Sequence, residues 1–252
     1  MATPAYNTVR PRHAGEGIHI VDNFIGNDLV TDNNIGQFKW QLTAIANTGT
    51  FAYLDPSDRP GGLRHTTDAT ADGDGDVLQS DTDGINFPAS TGGGGFAFAF
   101  RYPDVNSNAL AGNNFRIGVD SSVTAAAPTD GISVLGDAGV LTLRSDSADH
   151  GDTSQAATSV STLTSGTTAV LDVVHFVVVQ WSGENGQGGP NLVECFVDNE
   201  KAASVYSVID NDETAELKIA HWQDTGGTAD LEFDILFYEY WQFYDLPTAE
   251  AV

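Results

Sequence analysis

From Asp172 to Ser207 the chain reads DVVHFVVVQWSGENGQGGPNLVECFVDNEKAASVYS, a stretch that leaves room for little except antiparallel β-structure. Val174, Phe176, Val178 and Gln180 alternate with His175, Val177, Val179 and Trp181. One set is apolar up to Gln180 and the other is mixed, which is the pattern of a strand buried on at least one face. The glycines and proline of residues 182–191 then supply a hairpin tip before a second strand over Leu192–Val197. Asp198-Asn199 turns the chain again, and a third strand runs from Lys201 to Tyr206. The three strands make a β-meander.

The same alternation recurs along the chain. Strands are expected over Ile18–Phe24, Lys39–Ala46, Thr50–Leu54, Leu63–Thr67, Val77–Ser80, Phe115–Val119, Gly131–Leu135, Val140–Arg144, Glu216–Gln223 and Leu231–Tyr244. The clearest follows TGGGG, where Phe96, Phe98 and Phe100 alternate with Ala97 and Ala99. These phenylalanines are expected in the core, with the alanines letting another layer approach closely; the glycines themselves read as a flexible connection. Residues 145–168 are polar and read as a long excursion with room for one small strand. No amphipathic helix of ordinary length is visible. About a dozen strands fit an all-β, two-sheet antiparallel jelly-roll sandwich. The expected organisation is an N-terminal arm over residues 1–16, the sandwich over 17–246 and a tail over 247–252.

Several stretches resemble one family. HFVVVQWSG and NLVECFVDNEKAASV, with Asp198-Asn199-Glu200 where that family has Asp-Gly-Glu, are similar to the laminin-G-like, concanavalin A-like lectin and glucanase jelly roll. GIHIVDNFIGNDL, GGLRHTTDATADGDGDVLQS and GFAFAFRYPDV resemble versions of this fold in virion structural proteins of tailed viruses. The likeness covers roughly residues 17 to 244. It implies a non-enzymatic capsid decoration or turret protein, made in the host cytoplasm and carried on the particle surface with capsid proteins as partners. Two other readings share the fold: a glycan-binding adhesin or receptor-binding module, and a glycoside hydrolase.

Charge narrows the setting. Asp+Glu 35 against Lys+Arg 10 gives a net charge of -25, and only Lys39, Lys201 and Lys218 are lysines. Such a surface repels itself over a Debye length of about 10 Å at 0.1 M salt, which shrinks to about 3 Å at 1 M. A halophile, or a virus of one, is the expected source. Nucleic acid is excluded as a partner because phosphate binding needs a positive footprint. No window reaches the roughly 18 apolar residues of a membrane span, and the first residues lack the apolar core of a signal peptide.

Candidate sites follow from residue type and spacing. Asp72, Asp74, Asp76 and Asp83, with Asp68 and Asp81 nearby, offer the oxygen-rich spacing of a structural calcium loop. Val77 and Asp83 depart from the EF-hand pattern. Glu232-x-Asp234 resembles the carboxylate strand of glycosidases on this fold, but Leu236 replaces the third acid and alternation puts Glu239 on the opposite face. Trp181, Asn185, Tyr206 and Trp222 are the glycan-binding candidates. Phe233, Ile235 and Phe237 are expected on one face of the last strand, with Leu236, Tyr238 and Tyr240 on the other and Trp241 extending the run. Together with Arg10 and Arg12 in the arm, Tyr238, Tyr240 and Trp241 are expected to contact a second copy or a shell. A homo-oligomer follows, a trimer by analogy with virion spikes. Cys195, the one cysteine, reads as a buried inert thiol.

If the charge balance is an adaptation to salt, the melting temperature should rise steeply from low to molar KCl. A flat profile in calorimetry would overturn the halophile reading.

Overall fold

The computed structural model describes residues 17–24, 35–36, 40–45, 49–54, 61–68, 73–80, 85–86, 93–104, 110–121, 130–147, 149–156, 171–184, 189–209, 214–224 and 230–243. Among these there are sixteen strands. In chain order they are β1 (Gly17–Asp22), β2 (Gln41–Ala44), β3 (Thr50–Tyr53), β4 (Leu63–Thr66), β5 (Gly75–Gln79), β6 (Ile85–Asn86), β7 (Gly94–Arg101) and β8 (Asn113–Asp120). They continue as β9 (Gly131–Asp137), β10 (Val140–Ser147), β11 (Gly151–Ala156), β12 (His175–Glu184), β13 (Pro190–Val197), β14 (Glu200–Tyr206), β15 (Thr214–Gln223) and β16 (Glu232–Phe243). No helix of the described residues is long and apolar enough to cross a membrane.

The strands form two antiparallel eight-stranded sheets. The first has the order β14-β13-β12-β7-β16-β4-β3, with β1 also on β16; the second has β11-β10-β9-β8-β15-β5-β2, with β6 on β15. This is the expected jelly-roll sandwich. The meander β12-β13-β14 is as the sequence indicates, and its turn works because Asp198 and Asn199 both take positive φ, 50° and 73°. Asp198 also accepts hydrogen bonds from Phe176 N and His175 Nδ1, both at 2.9 Å, tying the turn to the start of β12.

The core lies between the sheets. Phe96, Phe98 and Phe100 of β7 are fully buried and meet Phe115 of β8, with ring centroids 6.1 Å apart for Phe98 and 4.9 Å for Phe100. Each such burial is worth roughly 1.5–3 kcal/mol. Trp40 packs edge-on against Tyr238 at 5.2 Å and donates from Nε1 to the buried Asp22 carboxylate at 3.0 Å. At one side the sandwich is closed where Thr153 of β11 donates to the carbonyl of Tyr206 in β14 at 2.8 Å. Cys195 is inside this core, and burial pushes its thiol up to about 12.

Two expectations are corrected here. Gly94 and Gly95 are not part of a flexible connection; they lie within β7 beneath two indoles. A Cβ at Gly94 would sit 2.8 Å from the Trp181 ring, and one at Gly95 would sit 2.4 Å from the Trp241 ring. The last strand also changes register. A bulge between Ile235 and Phe237 makes Ile235 pair with Phe100 and Phe237 with Ala99, so the two no longer share a face. Phe233, Ile235, Tyr238 and Tyr240 face the core, whereas Phe237, Glu239, Trp241 and Phe243 face outward.

Tyr238 and Tyr240 are therefore not contact residues. Both are fully buried, and Tyr238 donates across the core to the carbonyl of Gly118 in the other sheet at 3.2 Å. Trp241 is on the outer face but is 1% exposed, packed with Ala97 and Val178. Arg10 and Arg12, and the arm and tail that the sequence suggests, lie outside the described residues. Tyr240→Ser should destabilise the sandwich on the scale of large-to-small core substitutions, about 3–5 kcal/mol. Denaturant unfolding checks this, and a loss under 1 kcal/mol would return Tyr240 to the surface.

Candidate functional site

The outer face of the first sheet concentrates the groups with chemical potential. β16 places Glu232 and Asp234 on that face, β4 adds Arg64 and β7 adds Arg101, because alternation along paired strands brings them into adjacent rows. Asp234 is fully buried, and both of its oxygens are occupied. Arg64 donates Nε to Oδ1 at 2.7 Å and Nη2 to Oδ2 at 3.1 Å; Arg101 donates Nε to Oδ2 at 2.9 Å and also Nη2 to the same oxygen. Arg101 Nη1 reaches on to Asp172 at 2.7 Å, and Arg64 Nη1 to Glu232 at 2.8 Å. The hydrogen bonds that Arg64 donates to Asp234 hold its guanidinium above its ordinary value. Burial raises the Glu232 carboxyl above the usual range, with Arg64 acting against it.

The bulge that moves Phe237 also brings Glu239 to the same face as Glu232 and Asp234, contrary to simple alternation. Their separation still rules out a glycosidase pair with Glu239. Asp234 pairs with Arg101 and Glu239 with Ala97, four register steps or about 13 Å apart at about 3.3 Å per residue. Retaining chemistry needs about 5–5.5 Å and inverting chemistry about 6.5–9.5 Å. Glu239 is instead bonded to His19 at 2.7 Å. Of the adjacent pair Glu232 and Asp234, Asp234 has both oxygens held by arginine and Glu232 is ion-paired with Arg64. Beside this cluster Phe176 and Phe237 stack at 5.8 Å, a half-buried aromatic shelf.

The outer face of the second sheet carries a second ionic row. Arg116 and Asp120 lie four residues apart on one face of β8 with Gly118 between them, and Arg116 Nε donates to Asp120 at 3.0 Å. Lys218, 1% exposed, lies 3.7 Å from both Asp120 and Glu216. Desolvation lowers the Lys218 ammonium below its ordinary value, with the two carboxylates opposing. Near the rim Arg144 donates to the buried Asp146 at 2.6 Å, and in the first sheet Lys201 donates to Glu194 at 2.6 Å.

Of the calcium candidates, the structure describes Asp74 and Asp76. Asp76 points into the sandwich, where its Oδ2 accepts from Gly49 N and His65 Nε2, each at 2.7 Å. Asp74 is fully buried at the head of β5. Asp72 and Asp83 lie outside the described residues, and among the described ones no group of three or more His, Cys, Asp or Glu is placed to hold a metal ion. The three described glycan candidates, Trp181, Tyr206 and Trp222, do not converge. Trp181 is in the intersheet core against Phe96 and Tyr240. Trp222 packs with Val77 and Ala220 on the other sheet, and Asn185 lies outside the described residues. Only Tyr206, on the edge strand β14 and 71% exposed, is open.

Sequence reasoning missed one constellation. His65 of β4 and His221 of β15 come from opposite sheets, yet their Nδ1 atoms are 2.6 Å apart. His65 is held by Asp76, and His221 Nε2 lies 2.8 Å from Asn113 Oδ1 of β8. The four residues are 0–1% exposed. The available signal was position: both histidines occupy inward places in otherwise apolar alternations.

No protein-family model matches the sequence, and no curated relative is similar to it. Solved structures are similar in fold. One is a protein of unknown function, SO2946 from Shewanella oneidensis MR-1, with TM-score 0.56, 14% identity and coverage of 99% of this chain and 100% of that one. Another is the carbohydrate recognition domain of Emp47p, with TM-score 0.53, 13% identity and coverage of 93% and 100%. A third is the binding domain of botulinum neurotoxin serotype G, with TM-score 0.52, 7% identity and coverage of 89% of this chain and 46% of that one. The fold is that of lectin-like jelly-roll domains.

Asp234→Ala should leave two guanidinium groups without their shared buried counter-charge and cost about 3–5 kcal/mol. Unfolding measured in molar KCl checks it. A variant as stable as the parent would mean that the cluster is not structural.

Proposed function

We propose that this chain is a non-enzymatic structural module of a virus-particle surface, a lectin-like sandwich that decorates the capsid or forms a turret on a tailed virus of a salt-loving host. The observation that carries this reading is the disposition of charge. All six lysines and arginines among the described residues, Arg64, Arg101, Arg116, Arg144, Lys201 and Lys218, are ion-paired with carboxylates of the same chain. With Asp+Glu 35 against Lys+Arg 10, the face presented to solvent is acidic. Such a surface suits molar salt and gives nucleic acid no foothold. The same pairing engages the carboxylates of the one strand that resembles a hydrolase strand, which supports a role without catalysis. Oligomerisation, as a trimer or through a shell, is part of the proposal; with Tyr238 and Tyr240 in the core, it rests on the outer-face aromatics Phe176, Phe237 and Phe243.

A second reading is glycan recognition. It is favoured by the similarity to the Emp47p carbohydrate recognition domain and by the exposure of Tyr206. One experiment separates the two. Mass spectrometry of purified particles should find this chain at hundreds of copies if it decorates a capsid, and at a handful if it is an adhesin. Absence from particles overturns the first reading. In the second case, glycan-array binding should drop at least tenfold in Tyr206→Ala.

A further inference from the structure

The side chains that join the two sheets form a hydrogen-bonded line whose ends are both acceptors. At one end Asp76 Oδ2 takes the His65 Nε2 proton at 2.7 Å, beside the Gly49 amide. At the other end the backbone carbonyl of Glu232 takes a proton of Asn113 Nδ2 at 3.1 Å. That fixes the Asn113 amide, because the reverse orientation would set Oδ1 against the carbonyl oxygen. Asn113 Oδ1 therefore faces His221, and His221 Nε2, 2.8 Å away, must donate to it. Both Nε2 atoms are thus protonated. The two Nδ1 atoms face each other at 2.6 Å. If both rings were neutral, two lone pairs would oppose each other at that distance. The contact is a hydrogen bond only when one Nδ1 also carries a proton, so two rings share three protons.

We propose that the folded domain traps one proton on the His65–His221 pair, with the Asp76 carboxylate as its counter-charge, and that this proton is a pH-sensitive fastener between the two sheets. The count is the same wherever along the line from Asp76 to His221 the proton sits. A metal ion does not fit in its place: ligand bonds of about 2.0–2.1 Å at a tetrahedral centre put two nitrogens about 3.3 Å apart, and among the described residues no group of three or more His, Cys, Asp or Glu is placed to hold one.

The surroundings leave Asp76 as the charge that governs the pair. Phe51 of β3 lies tilted against His65 at 4.3 Å, and Phe233 of β16 stacks on His221 at 5.2 Å. β8 contributes the neutral Asn113, and β5 contributes Asp76 with Asp74 at its head. Arg64, Arg101 and the Glu232 carboxyl lie on the far face of the first sheet. Desolvation, with the charge on His65 second, pushes His221 well below its ordinary 6.5, so it refuses a further proton.

The consequence for stability has two signs. In the unfolded chain both histidines titrate at about 6.5. Above that pH the folded state holds one proton that the unfolded state has lost, so stability falls as pH rises. Below it the unfolded chain holds two and the folded state one, so stability falls as pH drops. Each limb amounts to about tenfold in the unfolding constant per pH unit.

The test uses the full chain, labelled with 15N at histidine, in molar KCl. Long-range proton–nitrogen spectra at pH 8 should show three protonated ring nitrogens in this pair, with both Nε2 atoms among them. The unfolding constant of the variant carrying both His65→Gln and His221→Gln, relative to the parent, should pass through an extremum near pH 6.5 and change about tenfold per unit on either side. Two ordinary neutral rings at pH 8, a pH-independent difference, or a stoichiometric metal ion in the purified chain would each overturn the proposal. Should the variant fail to fold, the spectra of the parent decide alone.

Discussion

The phenylalanine ladder of β7 sets the terms for the rest of the molecule. Phe96, Phe98 and Phe100 fill the space between the sheets, so the intervening positions must be small for a central strand to be covered on its other face. Gly95, Ala97 and Ala99 meet that need, and Trp241, Val178 and the Phe176–Phe237 pair lie over them. A strand buried on both faces requires long apolar neighbours, which β12 and β16 provide. The price is that polar residues of those strands sit in a dry layer and must find partners there.

That requirement explains how the scarce cations are used. A buried carboxylate is costly unless a charged donor meets it with good geometry, and arginine does so with two nitrogens at once. Asp234, Asp120 and Asp146 are each fully buried and each is met by an arginine. In a chain so rich in Asp and Glu, a cation spent on the surface would offset little, whereas one spent on a buried carboxylate keeps a strand in register.

Much of this was legible in the sequence. Period-two alternation placed most strands within a residue or two, and Asp198-Asn199 announced its turn. Even the polar excursion over 145–168 contains a strand, β11. Contact across space was not legible. The bulge at Leu236 reverses the faces of everything after it, and nothing local in ILFY announces which residue is extra, since every candidate is apolar or aromatic. Hence Tyr238 and Tyr240 went to the wrong side, and Glu239 joined the face of Glu232 and Asp234. Likewise Asp76 looked like a calcium ligand because D-x-D-x-D spacing cannot reveal that the third aspartate alternates inward. His65 and His221 are far apart in sequence, and only the pairing of the sheets brings them together.

The charge distribution also constrains how the domain can meet a partner. The six described cations are engaged internally, and the other four, Arg10, Arg12, Lys39 and Arg59, lie outside the described residues. In the proposed assembly, two copies carrying -25 each must first approach. At 0.1 M salt their repulsion reaches about 10 Å, further than the contact itself; at 1 M it reaches about 3 Å, less than the width of a side chain. On the proposed reading salt would act twice on the same acidic surface, once by screening repulsion within the fold and once by letting copies approach, so folding and self-association would respond to it together.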